Sequence, residues 1–141
     1  MPETYLTVEA LFTITITTSP PVMIPDGPQG GRMFVAVTGG TFEGDRLRGT
    51  VLAGSGGDYL TLRSNGTMKL DVRLILTTDD GANILMTYTG VGASDADGFG
   101  LRTAPLFETG EPRYAWLNDL QAIAIGELTA EGVMYHVYEL K

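Results

Sequence analysis

The sequence predicts an all-β protein: one antiparallel sheet of about 8–10 strands, closed into a barrel and spanning residues 1–141 as a single domain. Three observations lead there. Apolar and polar residues alternate with a period of two over long runs. Turn signals such as Ser64-Asn65-Gly66 and Asp79-Asp80-Gly81 separate those runs, as hairpin connections do. The chain also carries 19 glycines, which suits many tight corners. That many antiparallel strands curl and close, because closure removes exposed edges.

The first strand is expected over residues 5–17. Leu6, Val8, Ala10, Phe12, Ile14 and Ile16 fall on one parity, and Thr7, Glu9, Thr13 and Thr15 on the other. Residues 18–31 hold Pro20-Pro21, Pro25 and Gly27-Pro28 and read as a loop or arm. Strands follow at 32–38, 46–53 and 58–63. The 67–77 strand sets Met68, Leu70, Val72, Leu74 and Leu76 against Thr67, Lys69, Asp71, Arg73 and Thr77. Such a strand spans about 36 Å, enough to cross a barrel obliquely. A strand at 82–90 comes next, then a second loop over 92–98, then a strand at 99–104. The stretch LRTAPLFETGEPRYAWLN, residues 101–118, is too broken for a helix and too charged for a plain linker. It reads as a strand that bends at Pro105 and crosses the barrel rim, with a short helical turn over 115–119. Strands at 120–128 and 132–140 close the chain around Ala130-Glu131-Gly132.

Bulk properties narrow the function. A chain of this length buries roughly 68–70% of its unfolded surface and needs no staples. With no cysteine, disulfides and thiolate metal sites are excluded. A net charge of −8 argues against nucleic acid, whose phosphates demand a basic face. No leader-like segment and no run of about 20 apolar residues occurs, so a cytoplasmic protein with no membrane contact is expected. There is no Gly-x-Ser-x-Gly elbow, Walker-type loop or dinucleotide fingerprint, so no cofactor is expected. Asp95 and Asp97 with Ser94 lack the remaining oxygens of a calcium loop, and the lone His136 builds no zinc site, so no metal is expected either.

A resemblance rests on motifs in order: Gly39-Gly40-Thr41-Phe42-Glu43-Gly44 with Leu47-Arg48-Gly49, then Leu70-Asp71-Val72-Arg73, then Thr78-Asp79-Asp80-Gly81. Arg102-Thr103-Ala104-Pro105, Phe107-Glu108-Thr109-Gly110 and Tyr114-Ala115-Trp116-Leu117-Asn118 complete the set. From about Leu11 to Leu140 the chain resembles the small barrel proteins of the domain of unknown function three-two-three-seven family. That resemblance implies a single antiparallel barrel similar to lipocalin-like cups, a small organic ligand in catabolic or natural-product metabolism, and self-association as a dimer or trimer. One departure is Gly98-Phe99-Gly100-Leu101, which stands where relatives carry a longer loop and an aromatic residue.

Candidate chemistry then centres on carboxylates. Asp71 and Arg73 share a face. Alternation alone leaves that face either wet or turned inward; with the resemblance added, the lumen is favoured and Asp71 becomes the expected base. Glu108 would be its acid partner, with Arg73 or Arg102 polarising a carbonyl. Trp116 and Asn118 would contact the ligand from the rim, Tyr88 from a strand, and Asp58 and Tyr59 from a flexible lip after Gly54-Ser55-Gly56-Gly57. His136 is expected on the outer wall. The expected activity is cofactor-free proton transfer, namely isomerisation, cyclisation or elimination on a small molecule. The rivals are a carrier of a hydrophobic ligand and a structural barrel with a packed core.

Overall fold

A computed structural model describes residues 2–141. Eleven strands form one sheet: β1 Val8–Thr18, β2 Val22–Gly27, β3 Gly30–Glu43, β4 Arg48–Val51, β5 Gly57–Leu62, β6 Met68–Thr78, β7 Asn83–Asp95, β8 Gly98–Thr103, β9 Leu106–Glu108, β10 Ala122–Leu128 and β11 Gly132–Leu140. Every strand-to-strand ladder is antiparallel. The ladders run β1–β3, then β3 to β4 and β5, both of these to β6, and on through β7, β8, β10 and β11 back to β1. The sheet therefore closes as an eight-position barrel, with β4/β5 sharing one position and β8/β9 another.

Alternation places the core. Leu70, Val72, Leu74, Leu76 and Thr78 of β6 are buried, while Lys69, Asp71 and Arg73 are exposed. In β1 the pattern shifts by one residue. A bulge between Ala10 and Phe12 turns both Leu11 and Phe12 inward and leaves Val8 and Ala10 outside. The sequence parity holds from Phe12 onward and fails before it, because an extra residue in a ladder flips every side chain beyond it.

The structure chooses among or corrects three local expectations. Of the loop and arm alternatives for residues 18–31, it is the arm: β2 pairs with the start of β3 in a hairpin extending from the barrel. The 92–98 loop is taken up by β7 and β8, which pair as far as Asp95 and Gly98. The helical segment is longer than 115–119; it is a 3₁₀ helix over Pro112–Asp119.

The long β3 must coil to serve β2, β1, β4 and β5. Gly39 and Gly40 make that possible, with φ of 153° and 139°. A Cβ on Gly40 would run into the Thr15 carbonyl oxygen, so the strand crosses β1 only because that side chain is absent.

The interior divides into two halves. Toward the 3₁₀ helix it is solid. Phe12 packs on Phe42 and Phe107 with ring centroids 5.5 and 5.8 Å away, and Leu74, Leu76, Ile84 and Leu117 are fully buried beside them. The helix is clipped across this end by Asp80, which accepts hydrogen bonds from Thr78 Oγ1 (2.6 Å), the Tyr114 hydroxyl (2.9 Å) and Arg113 Nη1 (3.0 Å). Those donors hold the Asp80 carboxyl below its ordinary pKa, the Thr78 bond foremost. The opposite half is open.

One inward polar group has no partner: the Thr103 hydroxyl on β8. An orphaned buried hydroxyl costs about 1–3 kcal/mol. Thr103→Val keeps the shape and removes that cost. It should raise stability by about 1 kcal/mol, read as a higher urea midpoint at unchanged m-value.

Candidate functional site

The open half of the barrel holds a cavity of about 220 Å³. Its walls are apolar: Ile16 from β1, Met33, Val35 and Val37 from β3, Leu60 from β5, Met68, Leu70 and Val72 from β6, Leu101 from β8. Thr18, Ser19, Pro21 and Leu128 line its mouth. Among the described lining residues, the only charged side chain is Asp58.

Asp58 sits in the wall. It shares parity with Leu60 and Leu62 on β5, so the pleat turns it toward the lumen. The β5–β6 ladder runs through Gly57–Arg73 and Asp58–Val72 and resumes at Thr61–Lys69. In the gap between them, Asp58 Oδ1 accepts the Asp71 backbone N–H at 3.0 Å. The carboxylate thus stands in for a missing backbone carbonyl. That bond favours the charged form, but burial outweighs it, and the pKa is pushed up to about 6; the nearby charge of Asp71 adds to the rise.

Two tyrosines face the same cavity. Tyr88 of β7 and Tyr135 of β11 meet edge to face, with ring centroids 5.3 Å apart. Burial drives both pKa values far above the ordinary phenol value, and the charge of Asp58 adds to each. Two phenols that meet can spend only one proton on each other, so at least one of the two O–H groups is left for a ligand. Both phenols stay protonated at neutral pH.

The arrangement is a desolvated carboxylate and two phenols facing one apolar chamber. It can take a proton from a bound molecule, give one back, and hydrogen-bond an oxygen meanwhile.

The expected site residues land differently. Asp71 does not face the lumen. It is exposed on the outer wall with Arg73, because Leu70, Val72 and Leu74 occupy the inward parity of β6. The structure does bring Asp71, Arg73 and Glu108 together, but in a groove on the outside of β6, β7 and β9. Asp71 and Arg73 lie opposite Thr89 and Thr87, and Glu108 opposite Leu85. Arg102, expected to polarise a carbonyl, is exposed outside the lumen, and its Nη1 donates to the Leu101 carbonyl at 3.0 Å.

The 101–118 stretch is expected to bend at Pro105; instead β8 and β9 keep one register along β7 on either side of that proline, and the stretch then caps the packed end, away from the cup. Trp116 lies under the Arg46 guanidinium, 3.6 Å from the ring centroid. Asn118 clasps the Thr109 backbone, accepting from its N–H (2.8 Å) and donating to its carbonyl (3.0 Å). Neither side chain lines the cavity. Tyr59 points outward and stacks on Phe34 at 4.6 Å. His136 is on the outer wall, with Nδ1 3.2 Å from Thr13 Oγ1. Of the expected ligand contacts, Asp58 and Tyr88 line the cavity. Tyr135 was not anticipated, although its parity with Val133 and Val137 is a readable signal.

With this geometry in hand, comparison with known proteins is direct. A family described as protein of unknown function (DUF3237) matches residues 6–140. The chain belongs to that family. Its relatives include a UPF0311 protein of Clostridium acetobutylicum, 29% identical over 147 residues and covering 94% of this chain and 92% of that one. A hydroalkoxylation enzyme of Penicillium herquei is 33% identical over 115 residues, covering 81% of this chain and 70% of that one. Among solved structures, a β-barrel-like protein from Acinetobacter baumannii superposes with a TM-score of 0.91 at 28% identity, covering 99% of both chains. An enzyme from Penicillium herquei gives a TM-score of 0.80 at 26% identity over 100% of this chain and 98% of that one.

The raised pKa of Asp58 has a consequence for stability. Between about pH 4 and 6 the folded state keeps a proton that the unfolded chain releases, so this group lowers stability as pH rises through that window. Asp58→Asn removes the effect. The variant should exceed wild type by about 3 kcal/mol at pH 8 and by only about half a kcal/mol at pH 4, measured by denaturant unfolding at both values.

Proposed function

We propose that the lumen is the active site of a cofactor-independent enzyme that moves a proton within a small, largely apolar organic molecule, giving isomerisation, cyclisation or elimination. The observation that carries this reading is Asp58. A lone carboxylate in an apolar chamber, with a pKa of about 6, is poised to serve as base and then as acid near neutral pH.

The Penicillium relative's name supports the reading, because hydroalkoxylation adds an O–H across a carbon–carbon double bond. The same residues would perform such a step on an enone. Asp58 takes the hydroxyl proton, and the freed oxygen forms a C–O bond at the β-carbon. The π electrons shift toward the carbonyl oxygen, which accepts a hydrogen bond from the Tyr88–Tyr135 pair. Asp58 then returns its proton to the α-carbon. Atoms and charge balance, and no other reactant is consumed.

Carriage of a hydrophobic ligand without chemistry is the second reading, favoured by how apolar the lining is. 2′-Hydroxycrotonophenone, which closes to 2-methylchroman-4-one, separates the two. Wild type should give one enantiomer in excess over the racemic background, with a rate that climbs as pH rises through about 6. Asp58→Asn should lose at least tenfold in rate along with the enantiomeric excess, and Glu108→Gln should match wild type. Racemic product at the background rate from wild type and Asp58→Asn alike would favour the carrier.

A further inference from the structure

Resting on the lumen as the ligand site, we infer that its natural ligand is an uncharged, single-ring molecule whose hydroxyl group is held between Asp58 and the Tyr88–Tyr135 pair. Three features of the chamber converge on this class.

The first is charge. Among the described lining residues no lysine, arginine or histidine accompanies Asp58. An anionic ligand would leave its carboxylate or phosphate uncompensated beside a second carboxylate, and a buried unpaired charge is costly. Carboxylic acids, phosphate esters and other anions are therefore excluded.

The second is the donor and acceptor pattern. Asp58 Oδ1 is already engaged by the Asp71 N–H. As a carboxylate, its other oxygen can only accept. Tyr88 and Tyr135 both line the chamber, and two phenols that meet can spend only one proton on each other, so at least one O–H donor faces the ligand. A ligand atom that satisfies both must donate and accept at once. A hydroxyl does so. A ketone or ether leaves Asp58 without a donor, and an ammonium group leaves that O–H without an acceptor.

The third is size. A dry cavity of about 150 Å³ holds one benzene ring, so 220 Å³ holds a ring with a short substituent. The chamber cannot lengthen at its base, where Phe12, Phe42 and Phe107 are packed together.

Equilibrium binding tests this without any turnover. The probes are 4-ethylphenol, ethylbenzene, 4-ethylbenzoate and 4-ethylbenzylamine, titrated calorimetrically at pH 7.5. 4-Ethylphenol should bind about tenfold or more tightly than each of the other three, the worth of one charge-assisted hydrogen bond. Asp58→Asn and the double variant Tyr88→Phe/Tyr135→Phe should each reduce its advantage over ethylbenzene several-fold while leaving ethylbenzene affinity within about threefold of wild type. The inference is overturned if 4-ethylbenzoate or 4-ethylbenzylamine binds as tightly as the phenol, if no probe binds, or if both variants retain the full preference. The phenol preference without enantioselective closure of 2′-hydroxycrotonophenone would sink the enzyme reading and leave the ligand class standing. Selective closure with a preference for benzoate would do the reverse.

Discussion

The packing of Phe12 against Phe42 and Phe107 is the contact on which the rest of this barrel depends. An eight-position barrel is wide enough either to be filled by side chains or to leave room for one small ligand. Here one half is filled and the other keeps a cavity. Large aromatic rings, with Leu117 from the 3₁₀ helix beneath them, make one end solid and anchor the fold. The other end can then remain open without losing the core that keeps the sheet closed.

Placing a carboxylate in the open half works against stability, and the structure limits that cost in a specific way. Asp58 lies where the β5–β6 ladder lapses, so one of its oxygens takes over a backbone hydrogen bond that the sheet would otherwise lose. The group is held by the wall instead of hanging from a loop. Burial still dominates, which leaves it with a pKa suited to proton transfer.

The 101–118 stretch illustrates how dense chemistry in sequence can be architectural. Its charged and aromatic residues fasten the helix across the packed end: Arg113 and Tyr114 to Asp80, Trp116 beneath Arg46, Asn118 to the Thr109 backbone. A 3₁₀ helix of eight residues holds poorly by itself. These contacts supply what its own hydrogen bonds do not.

Alternation and turn chemistry determined the architecture from sequence alone: an all-β chain, one closed antiparallel barrel, and β6 with a leucine-rich face opposed to a charged one. The same pleat rule, applied to Asp58 with Leu60 and to Tyr135 with Val137, places both side chains on inward faces. What the sequence left open was which side of β6 is the inside, since a period of two names two faces without ranking them. Closure of the barrel decided it by turning the leucines in and Asp71 and Arg73 out. The bulge at Leu11, the gap in the β5–β6 ladder and the meeting of Tyr88 with Tyr135 were also beyond local reading. Each depends on partners far apart in the chain, and only the folded ring brings those partners to one place.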